Sequence, residues 1–397
     1  MKDNVLRLIA TGLLLVYLLM QLLCILPNDN RRQVVFLLWL ICAYSAYTPI
    51  VSRTLKMKHM LLLYVFLGFM FVSMLYRHSI VYSISASITF CELFSPLLMY
   101  RILREENKTT RWVVLIFITV IFVVNFLTCL KFLANSPTGH GLRDAEYITG
   151  LKNIFFAVYS FAILVPFIVY CISHNRKHGR RNISLTVAIV GYAICLVLAY
   201  LVINAQFMTA IILMIAGALF AFFYDRRGAR IVVPLVAVLA IFLFTKFSNE
   251  LIAVADRNDA VAVSMRLEEL QNILSNNAED AEDYSSRQNR SQSSIETFLE
   301  NPLIGVFYKY EDINEAKLQG IGNHAEWLDT MARYGLFGLL LIVFIVKAVF
   351  KHKELVGASI HFILFIILGF LNPVFGFYLI CSVFFYMSLL RAVFFKE

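Results

Sequence analysis

The chain has 397 residues, 60% of them hydrophobic and 15% charged, with a mean hydropathy of +0.75. Soluble domains carry about 25% charged residues over a smaller apolar fraction, so this composition excludes a soluble globular protein. The net charge of +9 is uneven: residues 248–331 hold 16 of the 26 acidic residues and 6 of the 35 basic ones, a net −10 against +19 elsewhere, a pattern of membrane topology rather than nucleic-acid binding.

Apolar runs of about 18 residues or more, long enough to cross a bilayer, recur along the chain. The expected spans are 6–26, 33–51, 59–76, 79–100, 112–133, 152–173, 183–203, 206–224, 230–247, 334–350, 356–371 and 374–393. Their number is eleven or twelve, depending on the short hairpins near Arg77, Asn204 and Asn372. No small-residue cleavage site follows the first span, which predicts a retained helix rather than a signal peptide. Short basic loops stay cytoplasmic. With twelve spans, Arg53/Lys56/Lys58, Arg104/Lys108/Arg111, Arg176/Lys177/Arg180/Arg181, Arg226/Arg227/Arg230 and Lys347/Lys351/Lys353 all fall on the side of Lys2, Arg7 and Lys396. Both termini are then cytoplasmic, and residues 134–151 and 248–333 lie outside. The expected organisation is nine spans within 1–247 with a small outer loop at 134–151, a large extracytoplasmic loop at 248–333, and three spans within 334–397.

All seven cysteines, 24, 42, 91, 129, 171, 195 and 381, fall inside expected spans, so they read as small apolar packing residues rather than a disulfide framework. No CxxC, HExxH, Walker A or dinucleotide glycine pattern is present. Within the spans Glu92 stands out, because a mid-bilayer carboxyl is costly and faces the bundle interior or a cavity. It reads as a structural hydrogen-bonding group, as the counter-charge of an arginine or as a ligand contact. Pro96, Pro166 and Pro234 read as kinks.

Val263, Leu267, Leu270 and Leu274 recur at helical spacing in the large loop, which predicts an amphipathic helix over 260–275. Residues 276–286 are polar and acidic, the composition of a turn. A second helix carries Ile295, Phe298 and Leu299 on one face and ends before Asn301-Pro302, because proline restricts the residue before it. Past the polar stretch 308–319 comes Gly320-Ile-Gly-Asn-His324. Asn323 with Glu326 three residues on forms a capping-box pattern. That predicts His324 as the first residue of a helix continuing into span ten, with helix N–H groups offered to phosphate and an imidazole kept neutral. His324 reads either as a polar cap at a membrane entry or as a base. By spacing alone, Arg287 and Arg290 read as surface charge among acids, and Arg266 as a solvated partner of Glu268 or Glu269.

Together, Ser286-Arg287, Pro302-Leu-Ile-Gly305, His324-x3-Leu328 and Tyr334-Gly-Leu-Phe-Gly-Leu339 resemble the shared C-terminal signature of the O-antigen ligase and polymerase superfamily. These are bacterial polytopic glycosyltransferases acting on polyprenyl-diphosphate-linked saccharides outside the membrane. The resemblance covers roughly residues 200–345. It implies an all-α, GT-C-like bundle in the bacterial inner membrane, most like a Wzy-type repeat-unit polymerase. It implies that Arg287, with Arg290 a turn on, holds the donor diphosphate. His324 would orient or deprotonate the acceptor hydroxyl that attacks the anomeric carbon, inverting its configuration. Arginines would stand where other enzymes place a metal, so no cofactor is expected. Donor and acceptor would both be lipid-linked oligosaccharides, with membrane lipids and a chain-length regulator as further partners.

There are departures. Relatives carry an Arg-containing Ser-x-Ser-Arg-Thr-Ala-like segment where this chain reads Asn204-Ala-Gln-Phe-Met-Thr-Ala210, so a second diphosphate contact falls to Arg266 or Arg143. Arg143 lies in the other outer loop with Lys152 just after it, and both would face the same side as His324. The usual His-Asn pair is His324-Ala325 here, which leaves Asn323 and Glu326 as the nearest polar side chains for acceptor binding. A ligase transferring glycan to a lipid A core or a protein shares these features. A transporter is the reading from another class; against it, the two halves show no internal repeat and no matched broken helices.

Overall fold

In the computed structural model, the described residues are 2–26, 31–55, 64–68, 71–72, 80–135, 142, 153–177, 185–223, 282–306, 321–351 and 360–394, with short pieces between 247 and 272. Among them all regular structure is helical. The chain divides into two compact units, one made of residues 1–122, 288–358 and 366–397 and the other of 123–287 and 359–365.

The helices in chain order are α1 Lys2–Leu22, α2 Arg31–Ala46, α3 Thr48–Leu55, α4 Ile80–Glu105, α5 Lys108–Asn135, α6 Ile154–Lys177, α7 Leu185–Asn204 and α8 Met208–Phe223. They continue with α9 Glu282–Glu300, α10 Glu326–Tyr334, α11 Leu336–Lys351, α12 Ile360–Leu371 and α13 Phe377–Ile380, then a wider π-helical stretch Cys381–Tyr386 and α14 Met387–Phe394. By length and composition, four segments among the described residues suffice to cross a membrane: Asn4–Leu22, Lys108–Ala134, Ile154–Ser173 and Leu185–Asn204. Met208–Phe223, Leu336–Lys347, Ile360–Leu371 and Phe377–Val393 are shorter apolar helices. The expected span 33–51 divides into α2 and α3, and the bulk of 59–76 and 230–247 lies outside the described residues.

Large apolar side chains on these helices point away from protein. On α5, Val113, Ile116, Val120, Val123 and Leu127 are exposed at three- and four-residue spacing. On α7, Leu196 is 73% exposed, and Val187, Val190, Val197 and Ile203 are exposed with it. In water such faces would aggregate; in hydrocarbon they are solvated. These helices and their outward faces mark a membrane protein.

In the second unit α6 is the core, with Ala157, Val158, Ala162 and Ile163 fully buried. Small residues let its neighbours approach: a Cβ on Gly217 of α8 would lie 2.9 Å from Leu364 and 3.0 Å from Pro166. Polar groups are satisfied within reach of their own helices, as where Ser160 Oγ donates to the Phe156 carbonyl at 2.7 Å. Leu142, from the stretch between α5 and α6, donates its N–H to the Ala205 carbonyl in the α7–α8 hairpin at 3.2 Å.

In the first unit, Tyr17 of α1 packs edge-on against Phe377 at 5.4 Å, and Phe122 stacks on Tyr386 of the π-helical stretch at 4.7 Å. One end of this unit is closed by a polar knot. Tyr47 donates to Glu106 at 2.6 Å, Arg7 pairs with Glu106 at 3.5 Å, and Arg111 Nε donates to the Glu106 carbonyl at 3.0 Å. The knot gathers the N-terminal helix, the α2–α3 joint and the α4–α5 turn; the first and last of these carry basic residues expected on the cytoplasmic side.

Candidate active site

The Pro302–Gly305 and Tyr334–Leu339 motifs meet, and the His324 segment is held between α9 and the helix that follows it. α9 ends at Glu300, as the Asn301-Pro302 pair predicts. It begins at Glu282, inside the stretch whose composition suggested a turn; the acidic pair Glu282-Asp283 suits the positive end of a helix dipole. Of the apolar face expected on this helix, Ile295 and Leu299 are exposed and Phe298 is half-buried, and Ser294 and Thr297 are buried. The small hydroxyls of α9 face protein.

After α9 the chain turns through Asn301–Gly305, where the Gly305 N–H bonds the Asn301 carbonyl at 2.8 Å. Gly305 has φ 66° and Gly335 φ 58°. Each tolerates this left-handed backbone as glycine, and they pack together: a Cβ on Gly335 would come within 2.6 Å of the Gly305 nitrogen. Val306 N–H bonds the Ala332 carbonyl at 3.1 Å and Leu336 N–H bonds the Pro302 carbonyl at 2.7 Å. The Pro302-Leu-Ile-Gly and Tyr334-Gly-Leu-Phe-Gly motifs are two halves of one backbone joint.

α10 starts at Glu326, not at His324, and its N-cap position is Ala325 with no side-chain cap. The expected Asn323–Glu326 capping box does not form, because a side chain and two distant backbone amides compete for its parts. Asn323 adopts φ 51° and its side-chain oxygen accepts from Arg333. The Glu326 carboxylate turns away, accepting from the Val374 and Phe375 N–H groups at 2.9 and 3.0 Å in the α12–α13 hairpin. The capping duty passes to Asp329, whose Oδ2 accepts from the backbone N–H of His324 at 2.7 Å and of Ala325 at 3.0 Å. These two N–H groups are therefore occupied by a carboxylate from the helix itself. Nor does the helix run unbroken into span ten; it breaks at Gly335 before α11.

Further contacts fix α10. Trp327 donates from Nε1 to the Ile366 carbonyl at 2.8 Å, and its indole lies where a side chain on Gly369 would stand. Tyr334 meets Phe66 edge-on at 5.2 Å and Phe90 at 6.2 Å. Asp329 Oδ1 accepts from Ser294 Oγ at 2.6 Å, and Ser294 Oγ accepts from the Gly322 N–H at 2.9 Å. Gly322 itself lies against the Arg290 carbonyl, where no Cβ would fit. Burial pushes the Glu326 and Asp329 carboxyls above the usual carboxylate range, against the downward pull of their N–H or hydroxyl donors and of Arg333.

The His324 segment is thus pinned to α9 one turn beyond Arg290. Arg290 is exposed and His324 half-buried. The α9 backbone carries positions 287, 290 and 294 at i, i+3 and i+7 register, while the side chain of Arg287 lies outside the described residues. So do Arg143, Lys152 and Arg266, and most of the helix expected over 260–275, of which 264–265, 267–268 and 271–272 are helical. Glu92 is 2% exposed. Its carboxyl sits beside Tyr17 of α1 within electrostatic reach of Arg32, and Oε1 lacks a hydrogen-bond partner among the described residues. Pro96 and Pro166 lie inside α4 and α6; Pro234 is outside the described residues.

Sequence reasoning passed over Ser294, Asp329 and Arg333. The signal for two of them was present as Glu326, Asp329, Thr330 and Arg333 at i, i+3, i+4 and i+7, a polar stripe on a helix about to enter the membrane. Ser294 has no such signal among the neighbouring serines 291 and 293.

A family model described as O-Antigen ligase matches residues 193–343. The match spans the second half of α7, then α8, α9, α10 and the first half of α11, and so contains the whole clasp between Ser294 and Asp329. It supports the O-antigen ligase and polymerase superfamily and a membrane enzyme of polysaccharide assembly whose substrates are lipid-linked oligosaccharides. Neither a curated protein nor a solved structure matches the chain.

Proposed function

We propose that this protein is a glycosyltransferase that polymerises polyprenyl-diphosphate-linked oligosaccharide repeat units into O-antigen, capsular or exopolysaccharide. The observation that supports this most is that the Ser294–Asp329 clasp, within the matched region, ties the segment of the family's motif His, His324, to α9, the helix that carries Arg290 a turn beyond the motif position Arg287. In the proposed reaction an acceptor sugar hydroxyl attacks the donor's anomeric carbon. The carbon–oxygen bond to the diphosphate breaks and the diphosphate leaves with the electron pair. The hydroxyl proton passes to the His324 imidazole. Arg287 and Arg290 stabilise the departing charge, a role suited to the forked guanidinium. A second diphosphate contact comes from Arg266 or Arg143, and Lys152, Asn323, Glu326 and Glu92 are candidates for saccharide contacts. The geometry of Glu326, with its carboxylate closed on the 374–375 amides, favours a structural role for it.

The proposed setting is the bacterial inner membrane with both termini cytoplasmic. The Arg7–Glu106 knot then lies at the cytoplasmic end of the first unit and the 248–333 loop at the other face. A regulator of chain length is a further expected partner. The second reading is a ligase that passes the finished glycan to a lipid A core or a protein; the description of the matching family favours it. The polymerase reading rests on the missing arginine at 204–210 and on the Gly-Asn-His-Ala-Glu-Trp-Leu-Asp segment.

The test supplies purified protein in nanodiscs with a lipid-linked repeat unit alone, then with a lipid A core or protein acceptor. A ladder in the first mixture supports the polymerase, and single transfer only in the second supports the ligase. No transfer in either, with folded protein, shifts weight to the transporter reading.

A further inference from the structure

A base that takes a proton from a reacting hydroxyl must stand within hydrogen-bond reach of it, and a misplacement of about 1 Å costs on the order of 100-fold in rate. His324 has no helix or strand to hold it; residues 321–325 are non-helical. Side chains hold the segment instead. Asp329 takes the His324 and Ala325 amides on one oxygen and Ser294 Oγ on the other. Ser294 takes the Gly322 amide, and Arg333, one turn beyond Asp329, takes the Asn323 side chain. Every residue from Gly322 to Ala325 is fixed this way. Asp329 is 4% exposed and Ser294 0%, so water does not compete for these bonds.

We infer that Asp329 is the positioning residue of the transfer, setting where His324 stands relative to α9 and its arginines without touching substrate. This rests on the reading of His324 as the base. The two Asp329 oxygens carry three protein donors, so its task is acceptor geometry. Asparagine can reproduce much of that: its oxygen serves the two amides and its NH2 donates to Ser294 Oγ. Alanine reproduces none of it.

The experiment uses the full chain in nanodiscs and, as substrate, the lipid-linked repeat unit extracted from native-host cells lacking this gene. Amide exchange over 321–325 and steady-state turnover per folded molecule are measured for Asp329→Ala, Asp329→Asn, Ser294→Ala and His324→Ala. In Asp329→Ala, exchange at 324 and 325 rises and kcat falls about 10- to 100-fold, with KM within about 3-fold of wild type. Asp329→Asn recovers both to within about 5-fold of wild type, and Ser294→Ala, the milder break should alanine at 329 prevent folding, lowers kcat about 3- to 10-fold. Unchanged exchange, faster exchange with wild-type kcat, or a loss confined to KM each overturns the inference while an inactive His324→Ala leaves the functional reading standing. A fully active His324→Ala overturns both.

Discussion

Two regions of this molecule solve the same problem differently. The α6–α8 bundle contains almost nothing polar that its own helices do not satisfy: backbone groups close within each helix and Ser160 bonds one turn back. Its specificity is steric, carried by small residues such as Gly217. The α9–α10 clasp has chain that is not helical at 301–306 and 321–325, whose N–H groups must find partners elsewhere. Backbone carbonyls of Asn301 and Ala332 take those of Gly305 and Val306, and the side chains of Ser294 and Asp329 take those of Gly322, His324 and Ala325, at the expense of burying a carboxylate and a serine hydroxyl. The first region depends on shape and the second on single polar atoms, and the second is the one that carries the candidate chemistry.

The largest expected effects lie in the clasp region. His324→Ala or Arg287→Ala should lower glycan transfer about 100- to 1000-fold with normal membrane insertion, the range for losing an oriented group that acts in the transition state. Arg287→Lys should also impair transfer, since an ammonium cannot make the forked contact. Assay of extracted, folded protein checks all three; near-normal activity in both alanine variants removes the site assignment.

Gly322→Ala comes next. The new methyl meets the Arg290 carbonyl, and overpacking of this kind costs about 1–3 kcal/mol. A lowered thermal midpoint with a disproportionate loss of activity is expected, because the contact joins the His324 segment to α9.

Glu326 separates structure from substrate binding. Glu326→Ala strands the Val374 and Phe375 amides, at about 1–3 kcal/mol for a buried unsatisfied group, and should destabilise visibly in a melting experiment. Glu326→Gln keeps an acceptor oxygen and should leave transfer close to wild type; a large loss of turnover in a stable Gln variant would assign the carboxylate to saccharide instead. The Gln variant also has a pH signature. Burial raises the Glu326 carboxyl, so its contribution to stability is fully present below the unfolded carboxylate pKa of about 4.3 and is lost as pH rises through the higher folded value. Wild-type melting should fall over that rise, and Glu326→Gln should fall less.

The smallest effects mark the other region. Leu196→Ala on the outward face of α7 should change stability by less than about 0.5 kcal/mol, as surface substitutions do. A large shift there would mean that this face meets protein rather than lipid.

What the sequence made legible follows the same division. Apolar periodicity located α5, α6, α7 and α8 to within a few residues, because a membrane helix declares itself by composition alone. Proline chemistry located the end of α9. The polar pattern misled at the start of α10: Asn323 and Glu326 have the right spacing for a capping box, but each finds a stronger long-range partner, Arg333 and the 374–375 amides. The apolar pattern of α9 does not mark its buried face, which holds Ser294 and Thr297 while Ile295 and Leu299 are exposed. Local spacing cannot report a competition decided by residues nearly 50 positions away.

The measurement that tests the central claim most directly is transfer by the wild-type protein and His324→Ala, side by side, on a lipid-linked repeat unit in nanodiscs. A polymerase that uses His324 as its base gives a ladder of lengthening lipid-linked glycan from the wild type and none from the folded variant. An equal ladder from both would contradict it.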